Sequence, residues 1–332
     1  MKKIVALGLS LMMALSLAGC GTSPTNQNTQ AGNTTGPKAI KVGIVQIVEH
    51  PALDAAREGF LETLKANGYE EGKNLTVEYQ SAQNDQSILQ SITQKFASEK
   101  LDLILAIATP AAQSMARASQ DTPILITAVT DPVKAGLADS LEKPGKNVTG
   151  TTDMNPLREQ FDLLKTVVPN AKKVGVIYNA GEDNSQVQVA MAETIANQAG
   201  LELVKVTVAT TADVLQAAQS LVGKVDAIYV PTDNTVVSAS DSVIQVTNKN
   251  KIPLIPGESS IVDKGGLGTI GINYKKLGAQ TGDMALKILK GQKPQDMPIE
   301  SQKEFDTVFN KATLELLGIK LPADLQQKAI LK

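Results

Sequence analysis

Six short segments place carboxylates, hydroxyls and amides where they would grip a small molecule: Glu49-His50-Pro51, Thr109-Pro110-Ala111, Thr130-Asp131-Pro132, residues 179–185 with Asn179, Asn184 and Ser185, Thr232-Asp233-Asn234, and Glu258-Ser259-Ser260. Their chemistry is of two kinds. A hydroxyl residue before a helix leaves free backbone N–H groups that favour an anion. Asp131, Asp233 and Glu258 do the opposite, because three acids facing one cleft require a cation. A molecule carrying both a carboxylate and an ammonium, such as an amino acid, satisfies that mixture. Each residue also has a plainer use. Thr109, Thr130 and Thr232 stabilise helices as caps by about 1 kcal/mol with no ligand, and Asp131 and Asp233 serve equally as capping carboxylates. His50, the only histidine, reads as a polar cleft wall or as the cap of a helix starting near Pro51. One histidine and one cysteine supply too few nitrogen and sulfur ligands for a transition metal, so no metal or other cofactor is expected.

Catalysis has weaker support. Gly266-Leu267-Gly268-Thr269-Ile270-Gly271 spells a dinucleotide fingerprint, but those glycines run into an expected strand at residues 269–272, whereas the fingerprint must open a helix. Glu49 beside His50 lacks a positioned nucleophile, and the sequence contains no P-loop or nucleophile elbow. With a net charge of −2 and no basic stripe, nucleic acid is an unfavourable partner. Aromatic residues make up 3% of the chain and tryptophan is absent, which disfavours stacking platforms for sugars or bases.

The polar segments become neighbours only if they all sit at strand ends. From residue 38, short apolar runs at 42–48, 75–79, 103–108 and 124–129 alternate with helical patterns, one from near Pro51 to a left-handed cap at Asn67-Gly68 and others at 85–98 and 110–119, the signature of a parallel sheet with crossover helices. The order then restarts. Lys41-Val42-Gly43-Ile44-Val45 is echoed by Lys173-Val174-Gly175-Val176-Ile177, Leu101-Asp102-Leu103-Ile104 by Val225-Asp226-Ala227-Ile228, and Pro123-Ile124-Leu125-Ile126 by Pro253-Leu254-Ile255-Pro256. So long a period means two related α/β lobes rather than a solenoid. In such sheets ligands lie beyond the carboxyl ends of the strands, where all six segments fall.

The amino terminus carries different information. Lys2 and Lys3 precede an apolar run at residues 4–17, too short to span a bilayer and typical of a cleaved leader. Leu17-Ala18-Gly19-Cys20 resembles the bacterial lipobox, which implies a signal peptide at 1–19 and acylation of Cys20, the only cysteine. The polar stretch up to residue 37 reads as a disordered tether to the cell membrane, on its extracytoplasmic face.

Segments 49–54, 108–113, 130–133, 147–150, 231–234 and 256–259 together resemble the signatures of a solute-binding lipoprotein family that serves ABC importers, with members associated with tryptophan, tyrosine or phenylalanine. The resemblance implies a type I periplasmic-binding fold: two doubly wound parallel-sheet lobes joined by a three-crossing hinge, without catalysis, acting as a monomer with an ABC permease as partner. The lobes would comprise 38–153 with 274–302, and 154–272 with 306–332, and Asp153 and Asn273 at the crossings would border the cleft. In that arrangement the α-carboxylate meets the helix start at Thr109 and Ala111 with a share from Asn184 and Ser185. The ammonium meets Asp131, Asp233 or Glu258, and Ile47, Val48, Pro51 and Leu53 wall an aromatic or branched side chain. A stand-alone extracytoplasmic sensor, or a binding protein for a sugar or nucleoside, is the alternative.

Overall fold

The computed structural model describes residues 37–332; the expected leader, Cys20 and residues 21–36 of the expected tether lie outside the described residues. The chain begins with β1 (Ile40–Gln46), α1 (Pro51–Ala66), β2 (Leu75–Ser81), α2 (Gln86–Ser98), β3 (Leu103–Ile107), α3 (Thr109–Ala118), β4 (Ile124–Val129) and β5 (Val148–Thr152). It continues through α4 (Leu157–Val167), β6 (Lys173–Asn179), α5 (Asp183–Gln198), β7 (Glu202–Val208), α6 (Val214–Ser220), β8 (Ala227–Val230), α7 (Asn234–Ser238), α8 (Ser240–Lys249), β9 (Leu254–Pro256), α9 (Ser259–Asp263) and β10 (Gly268–Gly271). Last come α10 (Tyr274–Leu289), β11 (Glu300–Ser301), β12 (Asp306–Phe309), α11 (Lys311–Leu317), α12 (Ala323–Lys328) and β13 (Ile330–Leu331).

The first lobe is built on a six-stranded sheet in the order β11-β5-β4-β3-β1-β2, the second on a four-stranded sheet in the order β7-β6-β8-β9, and every pairing in both is parallel. In each, the first strand of the lobe lies between its second and third strands. The chain therefore winds outward in both directions, and the strand order reverses at β1 and at β6. The central strands are apolar because helices cover both faces: Val42, Ile44, Leu103, Leu105, Ile124 and Ile126 are fully buried in the first lobe, and Val174, Val176, Ile228 and Ile255 in the second.

The echo between the lobes extends to single atoms. A Cβ on Gly43 would stand 2.7 Å from Leu101 Cδ1, and one on Gly175 would stand 2.6 Å from Leu221 Cδ1, so each glycine makes room for the leucine ahead of the next strand. Asp102 accepts from the Lys41 N–H at 2.8 Å, and Asp226 from the N–H groups of Lys172 and Lys173 at 2.8 Å each, tying matching strand starts together.

The chain passes between lobes three times: after β5, after β10, and between β11 and β12. The sequence pattern does not reveal what β10 does. It pairs antiparallel with β12, a strand that arrives only after the chain has returned to the first lobe, and β12 in turn pairs parallel with β13. Gly268 of the fingerprint-like run is needed here because a Cβ would lie 2.3 Å from the Phe309 ring.

The second crossing delivers α10 onto α1. Their backbones touch through glycines: a Cβ on Gly278 would come within 1.9 Å of the Ala56 carbonyl oxygen, and one on Gly59 within 2.1 Å of the Lys275 carbonyl oxygen. Neither obstacle is a flexible side chain, so the helices would have to separate. Gly278→Ala is therefore expected to cost about 2–3 kcal/mol and lower Tm by roughly 3–5 °C. Thermal unfolding checks this, and a variant as stable as the parent would show that the contact is loose.

Candidate ligand-binding cleft

At the ends of β1, β4, β5 and β8, close to the hinge, lies a narrow cavity of about 10 Å³ lined by residues of both lobes: His50, Leu53, Ala128, Thr130, Asp153 and Tyr274 on one side, Asn184, Thr232, Asp233, Asn234 and Val237 on the other. It has room for one ammonium-sized group. Farther out, a groove of about 1070 Å³ opens between α2 and α3 of the first lobe and the β6–α5 turn, β7 and α6 of the second.

The backbone is bent to make this site. Ala108 has φ +79° and Ala128 φ +56°, left-handed values that cost a residue with a Cβ free energy, and each sits where a strand ends at the cleft. Ala108 turns the chain straight from β3 into α3, whose first-turn N–H groups have no acceptor within the helix. Thr109 stands in that turn with its Oγ1 buried and unpaired.

Asp153 is the buried acid of the hinge, 3% exposed. It accepts from the Tyr274 hydroxyl at 2.6 Å and the Thr130 hydroxyl at 3.1 Å. Burial raises its pKa above the ordinary aspartate value, and the two hydroxyls only partly oppose this. A cation beside it would restore the charged form. Thr130 also accepts from Gln188 Nε2 at 3.3 Å, so α5 of the second lobe reaches the Asp153 carboxylate through one hydroxyl.

The second lobe presents a dense network. Asp233 accepts from the Asn179 N–H and the Ser185 hydroxyl, both at 2.6 Å, and from the Val236 N–H at 2.8 Å as the cap of α7. Burial, and then the neighbouring Glu182 carboxylate, push its pKa up to about 7. Glu182, 5% exposed, accepts from the N–H groups of Asn234 and Thr235 at 3.0 Å, the Thr235 hydroxyl at 2.9 Å and the side-chain amides of Asn184 and Asn234. Asn184, 4% exposed, donates to Glu182 and to the Thr232 carbonyl, each at 3.0 Å, and its Oδ1 is buried without a partner. His50 is buried, with Nδ1 unpaired; burial lowers its pKa to about 4, Asn234 beside it pulls weakly upward, and the Lys264 charge adds to the lowering.

The structure brings His50, Thr130, Asp153, Asn184, Asp233 and Asn234 to one cavity. It places other expected residues elsewhere. Glu49 is exposed and accepts from the Tyr79 hydroxyl at 2.9 Å. Asp131 closes its own turn through the N–H groups of Val133 and Lys134. Glu258 caps α9 through Ser260 and Ile261, and Asn273 caps α10 while donating to Asp306 at 2.8 Å. Asn179 borders the outer groove, Ala111 is packed inside α3, and Ser185 spends its hydroxyl on Asp233. Of the expected apolar wall, Leu53 lines the cavity and Ile47 is core.

The sequence pattern did not single out Glu182, Gln188 or Tyr274. Gln188 was within reach, standing four residues after Asn184 on one helical face. Tyr274 directly follows a hinge residue, and its hydroxyl meets Asp153 only because α10 crosses back.

The lobes are drawn together. Besides Gln188 and Thr130, Asn84 Nδ2 donates to Thr235 Oγ1 at 3.1 Å and Gln113 Nε2 to Asp183 Oδ2 at 2.8 Å across the cleft.

Two doubly wound lobes, three hinge crossings and a shared polar cavity at facing strand ends define a type I periplasmic-binding architecture. The chain belongs to the ABC transporter substrate binding protein family, which it matches over residues 41–331. It is 45% identical to a tyrosine-binding protein of Clostridioides difficile (strain R20291), the alignment covering 97% of this chain and 94% of that one. A Streptococcus pneumonia ABC domain solved in complex with L-Trp is 36% identical with a TM-score of 0.86, over 89% of this chain and 99% of the other. The ligand-free, open structure of a Clostridium difficile substrate binding protein with adhesive properties is 47% identical, yet its TM-score is 0.69 over the same shares. Geometry and sequence thus rank these two relatives in opposite order, and the lobes here sit nearer the arrangement of the L-Trp complex. The family is one of binding proteins that act outside the cytoplasm. No helix among the described residues is long and apolar enough to cross a membrane.

Proposed function

We propose that this protein captures an aromatic L-amino acid between its lobes and presents it, as a monomer, to an ABC permease, held at the outer face of the cell membrane by a lipid on Cys20. The observation that carries the reading is the buried Asp153 carboxylate in a cavity of ammonium size that Asn184, its Oδ1 unpaired, lines from the other lobe. Two acceptors and no fixed cation among the lining residues suit an ammonium group. The α-carboxylate is assigned to the start of α3, where Thr109 Oγ1 and the first-turn N–H groups, including that of Ala111, donate.

The aromatic side chain extends toward the outer groove. It needs more room than the present lobe contact leaves, so the loaded form is slightly more open than this one and much more closed than the empty form. The arrangement of the L-Trp-bound relative and the name of the tyrosine-binding relative support an aromatic ligand. Closure follows from differential affinity, since both lobes contact the ligand only when they are together.

Titration calorimetry with L-tyrosine and L-tryptophan, paired with small-angle scattering, tests the proposal. One ligand per chain, a smaller radius of gyration and a higher Tm are expected. Binding of a pyranose or nucleoside, with neither amino acid bound, would overturn it.

A further inference from the structure

Glu182 is the most heavily hydrogen-bonded carboxylate of the cleft, yet it does not line the inner cavity. Its partners come from two helix starts, Asn184 on α5 and Asn234 and Thr235 on α7. A carboxylate only accepts. Every amide that meets it must therefore turn its NH2 inward, and for Asn184 the second N–H is taken by the Thr232 carbonyl. Nothing is left to donate. What Asn184 offers the cavity is Oδ1, buried and unpaired. The same constraint runs along Thr235, whose hydroxyl donates to Glu182 and so accepts from Asn84 of the first lobe at 3.1 Å.

We propose that Glu182 is a positioning residue that sets the polarity of the cavity, fixing the Asn184 amide so that Oδ1 is a permanent acceptor for the ligand's ammonium. The inference rests on the amino-acid reading above and deepens it. It explains why a residue that touches no ligand is buried with five donors around it, and why Asn184 selects against an anionic group or one without a donor at that point. A glutamine in its place would put an NH2 among those donors. The Asn184 amide would then reverse, its Oδ1 turning to the new NH2 and its own NH2 turning to the cavity.

The test compares L-tryptophan with 3-(indol-3-yl)propanoate, the same molecule without its ammonium, on the mature protein and on Glu182→Gln. The parent is expected to prefer L-tryptophan strongly. In Glu182→Gln that preference should shrink by about tenfold, the amino acid losing affinity while the deaminated compound holds or gains. A purely structural role for Glu182 would weaken both ligands in parallel, and that result would overturn the proposal. Should Glu182→Gln fail to fold, Asn184→Ala removes the acceptor directly. The same loss of preference is expected there, and an unchanged preference would also overturn the proposal. A parent protein that binds neither compound would instead defeat the amino-acid reading itself.

Discussion

Asp153→Asn is expected to weaken aromatic amino-acid binding by about a thousandfold while leaving the ligand-free protein at least as stable as the parent. The substitution keeps size and shape and removes only the charge. In the complex it would strand the ammonium in a buried site without its counter-ion, a loss of about 3–5 kcal/mol, and about 4 kcal/mol is a thousandfold in affinity. Without ligand the balance is reversed. The Asp153 pKa is raised in the folded state, so its ionised form is disfavoured there, and the penalty grows as pH rises above the unfolded value of 3.8. At neutral pH the asparagine removes that penalty, and Tm should stay level or rise. Calorimetry and thermal unfolding of one preparation measure both quantities. A loss of less than tenfold would place the ammonium elsewhere, and Asp233 would be the next acid to replace.

The opposite behaviour of the two measurements separates Asp153 from the acids that the sequence marked with equal weight. Asp131, Asp233 and Glu258 all follow strand ends, and periodicity locates strand ends well. It does not show where a carboxylate turns once there. Asp131 and Glu258 turn back onto their own N–H groups, the plainer use of an acid before a helix. Asp153 has no helix start of its own to cap, and its partners are Thr130, 23 residues earlier, and Tyr274, 121 residues later. Contacts at that separation leave no local pattern. The same limit hid β12, whose antiparallel partner β10 lies on the far side of an excursion into the other lobe. What could be read locally was read: the repeated Lys-Val-Gly strand starts, the helix ending at Asn67-Gly68 with Gly68 at φ +86°, and the strands whose ends meet at the cleft.

Acidification supplies the second large effect. Amino-acid affinity is expected to fall roughly twentyfold between pH 7 and pH 5, and His50 is the chief cause. In the closed form its pKa is lowered to about 4, first by burial and then by the Lys264 charge, against an ordinary value of 6.5. When the lobes part, Asn234 and its helix move away and the imidazole regains water. The open form therefore holds a proton in the window between about 4 and 6.5 that the closed form must give up. Closure is fully favoured above the upper value and is lost progressively below it, by roughly a factor of 20 at pH 5. The acids at this cavity respond to acidification in opposite senses. Asp233, pushed up to about 7 first by burial and then by Glu182, keeps Glu182 and its donors Asn179, Ser185 and Val236 when the lobes separate, because all belong to the second lobe, and any water it regains lowers its pKa in the open form and opposes the fall. Asp153, raised by burial when no ligand is bound and held ionised by the ammonium in the complex, also gives up a proton on binding and adds to the fall at the acid end. His50→Gln, which keeps a polar side chain but cannot titrate, should remove the larger part of the decline between pH 7 and pH 5 without abolishing binding at neutral pH. If the decline persists undiminished in that variant, the proton is taken up at Asp153 instead of His50.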